Sequence, residues 1–172
     1  MQEIIELEKR REIYALIKKY PGLNLSKIAE MLKMRVSLVE YHLNYLERYD
    51  LVTSVKDDWF KHYYVKEDMG VKDRKILAAL RKEKFLKIVL VLLKHPNLTH
   101  GDILKHIDIK RSTLSYYLEK LVKKGIVAES SEEGKQRRYV VFDEKEVIRI
   151  ITRYKPYRAV DGTYELWKDF KR

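Results

Sequence analysis

Arg111, Ser112, Thr113, Ser115 and Tyr116 open the stretch RSTLSYYLEKLVKKGIV (111–127) with a guanidinium, three hydroxyls and a phenol. A helix built only for packing favours Glu, Lys and Ala on its exposed face. Short polar side chains at the N-terminal end instead put donors and acceptors where a helix entering a duplex groove end-on meets base edges. Lys110 precedes the cluster, and Lys135, Arg137 and Arg138 follow it in a hairpin-like stretch, placed to track a phosphate backbone or enter a minor groove. Each feature has a plainer reading beside it. Ser112 and Thr113 would serve equally to satisfy the open amides of a first helical turn. The hairpin cations would serve to keep a sheet edge soluble.

Other chemistry finds little support. There is no cysteine, hence no disulfide, thiolate ligand or cysteine nucleophile. His95, His100 and His106 fall close together, but no pair has the i, i+4 spacing that puts two ligands on one helical face. No glycine-rich phosphate loop and no Ser/His/Asp arrangement stands out. The expectation is a protein without catalytic activity, metal or cofactor.

Charge points toward a polyanion. The 172 residues carry a formal charge of +11, with 45% hydrophobic residues to build a core. Residues 1–75 hold 15 Lys and Arg against 13 Asp and Glu, whereas residues 76–172 hold 22 against 13. If one part of the chain grips phosphates, it is the second. The first 20 residues open on acidic residues and are amphipathic, unlike a secretory signal, and the apolar run IVLVLL (88–93) is too short to span a bilayer. A cytoplasmic location without membrane contact is expected.

The elements that position these residues follow from an internal repeat. A shift of 75 residues aligns VSLVEYHLNYLERYDLV (36–52) with the stretch at 111–127, with identities at Ser37/Ser112, Tyr41/Tyr116, Leu43/Leu118, Leu46/Leu121 and Val52/Val127. The register continues upstream through Ile13/Ile88, Pro21/Pro96 and Ile28/Ile103, and downstream without a gap through Tyr64/Tyr139 and Val65/Val140. Each copy predicts a first helix ended by Pro21 or Pro96, then a short helix capped by Asn24 or Thr99. Asp102 stands where a capping box places an acid. A third helix buries Val39, Leu43 and Leu46, or Leu114, Leu118 and Leu121. Gly125 stops the second of these third helices, and Asp50 takes the same place, less well, in the first. A β-hairpin closes each copy, turning at Lys56–Asp58 and near Glu133–Gly134.

The predicted fold is mainly α with small β-hairpin wings: tandem winged helix-turn-helix domains plus C-terminal helices. Residues 1–70 form the first domain. Residues 71–143 form the second, led by one long linker helix over 72–94, which has no Gly or Pro. Residues 144–172 form a helical segment whose Tyr154, Tyr157, Tyr164, Trp167 and Phe170 make a face for docking on the chain itself or for a homodimer.

The pattern Thr-Leu-Ser-Tyr-Tyr-Leu running to Lys-Gly-Ile-Val resembles the recognition helix of ArsR- and MarR-like regulators, and EYHLNYLERYDLV carries a related form. Two such modules before an aromatic C-terminal helix are similar to archaeal transcriptional regulators with two helix-turn-helix domains. The resemblance implies sequence-specific binding of double-stranded DNA by Lys110, Arg111, Ser112, Thr113, Ser115, Tyr116, Lys135, Arg137 and Arg138. In the first copy it implies contacts by Arg35, Ser37 and Tyr41. Departures from the pattern weaken the first copy as a reader. Val36, Leu38 and Glu40 stand where the second has Arg111, Thr113 and Ser115, and Asp57 and Asp58 acidify its wing. Tyr41 and Tyr116, shared by both, fit a packing or phosphate role, and Trp59, Phe60 and Tyr63 fit packing rather than base stacking. Two other functions stay open: an adaptor that docks a protein of the transcription machinery, and a chromatin or nucleic-acid protein without sequence preference.

Overall fold

A computed structural model describes residues 2–57, 60–131 and 136–154, with side chains from residue 7 onward. The chain divides into two compact units, Met1–Ala78 and Ala79–Arg172. The described residues are mainly helical with two small antiparallel sheets.

The first unit runs α1 (Gln2–Lys19), β1 (Leu23–Asn24), α2 (Leu25–Leu32), α3 (Val36–Arg48), β2 (Val52–Asp57) and β3 (Phe60–Val65). The chain then forms α4 (Val71–Leu80), and the division between units falls inside this helix, past Gly70. The second unit repeats the order as α5 (Glu83–Lys94), β4 (Leu98–Thr99), α6 (His100–His106), α7 (Arg111–Lys123), β5 (Val127–Ser130) and β6 (Arg138–Val141), followed by α8 (Glu144–Tyr154).

Capping residues act as their sequence positions require. The Asn24 side chain accepts from the Lys27 amide, opening α2. Thr99 and Asp102 form a reciprocal capping box at the start of α6. Val39, Leu43 and Leu46 of α3, and Leu114, Leu118 and Leu121 of α7, are all buried. They lie three to four residues apart, so each helix offers one apolar stripe to its core. In α7 the Gly125 amide donates to Val122 O and the Ile126 amide to Leu121 O, with Gly125 at φ 66°. That pairing satisfies the last carbonyls of the helix. Asp50 closes α3 through the same two bonds at φ 59°. No atom lies within 4 Å of a Cβ added at Gly125, so only backbone conformation opposes a side chain there. Gly125→Ala is expected to destabilise the second unit by ~1 kcal/mol, read by chemical denaturation; an unchanged midpoint would contradict the role given to this turn.

Three expectations need correction. Residues 72–94 are not one helix: Lys82 is extended (φ −77°, ψ 115°) and separates α4 from α5. No Gly or Pro marks the break, and packing explains it. Ile76 to Leu80, and Phe85, Leu86 and Ile88 to Leu92, are buried around most of their helical circumference, which one straight amphipathic rod would leave in water. The first hairpin does not turn at Lys56–Asp58. Lys56 pairs with Lys61 and Asp57 with Phe60, so the strands run on past Lys56 before reversing.

The third correction concerns the repeat. Leu23 faces Tyr63 and Val52 faces Val65, whereas Leu98 faces Tyr139 and Val127 faces Val141. Tyr139 is therefore the counterpart of Tyr63, not of Tyr64, and Val141 that of Val65. The second hairpin holds one extra residue, at the loop position where insertion is best tolerated. Tyr63 and Tyr64 are both buried, so burial leaves the match open and the strand pairing decides it. The Glu133–Gly134 turn lies outside the described residues.

A third strand in each sheet, β1 or β4, pairs with the last strand of the hairpin. At two residues, neither is long enough to show alternation in the sequence. In α8, Val147, Ile150 and Ile151 are buried, so the apolar stripe of this helix is already covered within the chain. Tyr154 ends α8 half-buried, with the Arg153 guanidinium 5.3 Å from its ring. Tyr157, Tyr164, Trp167 and Phe170 lie outside the described residues.

Candidate nucleic-acid interface

α7 begins without a side-chain cap, its N-cap Lys110 being extended at φ −65° and ψ 147°. Its first-turn amides are therefore open, and the positive end of the helix dipole adds to the charge of Lys110 and Arg111. Lys110, Arg111, Ser112, Ser115 and Tyr116 are exposed and Thr113 partly so. Among the described residues, Arg111 makes no ion pair, and Ser112 and Thr113 make no side-chain hydrogen bond. Ser115 differs. Its Oγ donates to Arg111 O at 3.1 Å and lies 3.0 Å from His100 Nε2, so this hydroxyl is engaged within the protein.

His100 stands first in α6, directly after the Thr99 cap. Burial, and next the Arg111 guanidinium, hold its imidazole below the usual range. In the capping box, hydrogen bonds from Lys105 and Thr99 pull Asp102 down to about 2. That carboxylate stays ionised at neutral pH and sits at the N-terminus of α6, where negative charge is favoured.

A groove between α7 and the hairpin is lined by Ser115, Glu119, Lys123, Glu129, Arg137 and Tyr139. Its cations are paired: Lys123 with Glu119 at 2.6 Å, and Arg137 with Glu129 at 3.5 Å. Both pairs are exposed to solvent, and such pairs are worth little. A phosphate can therefore compete for either cation at small cost. Arg138 is more committed, its Nη1 donating to Asn97 O at 2.9 Å. The first unit holds the same turn in the same way, with His62 Nδ1 2.9 Å from Gly22 O and both Gly22 and Asn97 at positive φ. The shared bond marks a structural duty for Arg138, whose remaining guanidinium donors are still available. Lys135 lies outside the described residues.

In the first unit Arg35, Ser37 and Tyr41 are also exposed. They share that surface with Val36, Leu38 and Glu40, which are exposed too. Tyr41 and Tyr116 are each 52% exposed, so neither belongs to a core. Tyr63 does: burial, then Glu47 and Glu40, push its phenol up to about 12. Phe60 is exposed, and Trp59 lies outside the described residues. His95 and His106 stack with ring centroids 4.8 Å apart. Among the described residues, no group of three or more His, Cys, Asp or Glu could hold a metal ion.

A family described as winged helix-turn-helix DNA-binding matches residues 86–128, from α5 into β5. The second unit carries a winged helix-turn-helix. Over 141 residues the chain is 34% identical to an uncharacterized HTH-type transcriptional regulator of Methanocaldococcus jannaschii, and the match covers 81% of the chain. The chain spans about a third, 35%, of that relative's length. Among solved structures, the transcriptional regulator SlyA aligns at a TM-score of 0.39 and 17% identity, covering 54% of this chain and 71% of that one. The mRNA-binding domain of elongation factor SelB from E. coli aligns at 0.32 and 12%, covering 80% and 98%. No helix among the described residues is long and apolar enough to cross a membrane.

His100 was not singled out by the sequence as part of the interface. Its only local signal is its place directly after a capping residue, and its contact with α7 is tertiary.

Proposed function

We propose that the chain is a transcriptional regulator whose second unit reads double-stranded DNA in a sequence-specific way, and which performs no catalysis. The observation that carries this reading is the start of α7. Open amides, Lys110, an exposed Arg111, and the hydroxyls of Ser112 and Thr113, none of these three side chains paired among the described residues, converge there, on the element that a winged helix-turn-helix inserts into the major groove. Tyr116 and Arg137 extend the surface toward phosphates, and Lys135, which lies outside the described residues, is assigned the same task from its place in the sequence. Ser115 and Arg138 act mainly in holding it together.

The first unit, with the same element order, is read as a second winged helix-turn-helix in an ArsR- or MarR-like tandem. Its exposed Val36, Leu38 and Tyr41 beside Glu40 favour a protein contact over a base contact there. This is the adaptor reading, confined to one unit. Two chains pairing through Tyr154, Tyr157, Tyr164, Trp167 and Phe170 would present two readers to a palindromic site in the cytoplasm. Because α8 buries its own apolar stripe, the truncation that tests pairing should fall after Tyr154 rather than before Glu144. Loss of the dimer with the fold retained supports the assignment, and a dimer that survives refutes it.

Arg111→Ala tests the reading itself. Binding to a selected duplex should weaken by ~1–3 kcal/mol, with discrimination lost at one base pair. Fluorescence anisotropy against single-position variants of the duplex measures both. A uniform loss across all sequences would reduce Arg111 to a phosphate contact.

A further inference from the structure

The two units share a fold but differ in one chain of contacts. In the second, the Thr99–Asp102 capping box fixes the first turn of α6. His100 Nε2 on that turn lies 3.0 Å from Ser115 Oγ, which donates to Arg111 O at 3.1 Å. A hydroxyl has one proton to give. When Ser115 gives it to Arg111 O, Ser115 can only accept from His100, which then carries its proton on Nε2. The other ring nitrogen, Nδ1, is buried without a hydrogen-bond partner among the described residues. Protonating it would place a buried N–H with nothing to receive it, in keeping with the lowered basicity of this ring.

In the first unit every member of this relay is replaced. Leu25 stands for His100, Glu40 for Ser115 and Val36 for Arg111, and the first turn of α2 contains no acid. Nonetheless α2 and α3 form and bury the corresponding residues. The relay is therefore not a requirement of the fold. It accompanies the features that distinguish the proposed reader from its sister unit.

We propose that His100 is a positioning residue for DNA reading: through Ser115 it holds the Arg111 carbonyl, and so fixes the point from which the Arg111 side chain reaches the bases. A residue that never touches a base thereby sets specificity. The inference rests on the second unit being the reader, and the experiment separates the two claims.

Full-length protein is titrated with its selected duplex and with a scrambled duplex of equal length, for the unaltered chain and for His100→Ala, Ser115→Ala, the double variant and His100→Gln. The ratio of the two affinities is expected to fall about three- to tenfold in His100→Ala, the range for one net hydrogen bond, with the loss concentrated at the base pair that Arg111 reads. Ser115→Ala should match it, and the double variant should lose no more than either single one. Gln, whose amide can donate from nearly the position of Nε2, should restore the ratio. A merely structural role would lower both affinities alike and leave the ratio unchanged, which would overturn the inference. A chain with no preference for any duplex would overturn the DNA reading before the relay is reached. Histidine nitrogen NMR of the free protein gives an independent readout: His100 should be the Nε2–H tautomer, and Ser115→Ala should shift its signal. An Nδ1–H tautomer would refute the relay whatever the binding data show.

Discussion

Leu118→Ala is expected to destabilise the second unit by ~2–5 kcal/mol, as deletion of a fully buried leucine does when its surroundings cannot collapse. Leu118 is 1% exposed and lies between Leu114 and Leu121 on the buried stripe of α7. A small domain has only ~5–15 kcal/mol in total, so such a loss brings the unit close to unfolding at moderate temperature. Leu43→Ala removes the equivalent side chain from α3, which is 0% exposed. The two substitutions should cost comparable stability in different units, yet only Leu118→Ala should abolish binding to the selected duplex. Denaturation followed by circular dichroism, beside anisotropy on the same samples, checks the pair. Binding lost equally in both variants would contradict the assignment of reading to the second unit.

The second large effect concerns salt. Each phosphate neutralised by a Lys or Arg contributes about 0.9 to the slope of log affinity against log salt concentration. Replacing Lys135, Arg137 and Arg138 together by alanine should flatten that slope by up to ~2–3 units. The bond between Arg138 and Asn97 O suggests that the single Arg138 variant loses some stability as well as affinity. Arg137, held among the described residues by an exposed pair with Glu129, should act on the slope alone. Replacing Lys56 and Lys61 of the first hairpin should change the slope far less, since Asp57 and Asp58 put two negative charges in the same hairpin. Equal slopes for the two sets would show that both hairpins meet DNA.

Local chemistry was legible in the sequence wherever one residue type performs one task. Asn24 and Thr99 with Asp102 announce helix starts, Gly125 a helix end, and the leucines of α7 a buried stripe. What could not be read depended on contacts distant along the chain. The break at Lys82 has no Gly or Pro, and follows from burial of apolar residues on both sides. Two adjacent tyrosines, Tyr63 and Tyr64, allowed Tyr139 to be matched to the wrong one, and only the strand pairing settles the extra residue in the second hairpin. At the head of α7, Arg111 and Ser112 stand exposed and Thr113 partly so, where the sequence puts them. The engagement of Ser115 and Arg138 within the protein is invisible without coordinates.

We propose that α7, and not α3, chooses the DNA sequence. Selection of bound fragments from a random-sequence duplex pool tests it most directly, using the unaltered chain and two exchanges between the copies. One gives α7 the residues of α3 (Arg111→Val, Thr113→Leu, Ser115→Glu); the other gives α3 those of α7 (Val36→Arg, Leu38→Thr, Glu40→Ser). The unaltered chain should enrich a defined motif, the α7 exchange should erase it, and the α3 exchange should leave its original bases in place. A motif that survives the α7 exchange, or no enrichment by the unaltered chain, would contradict the account.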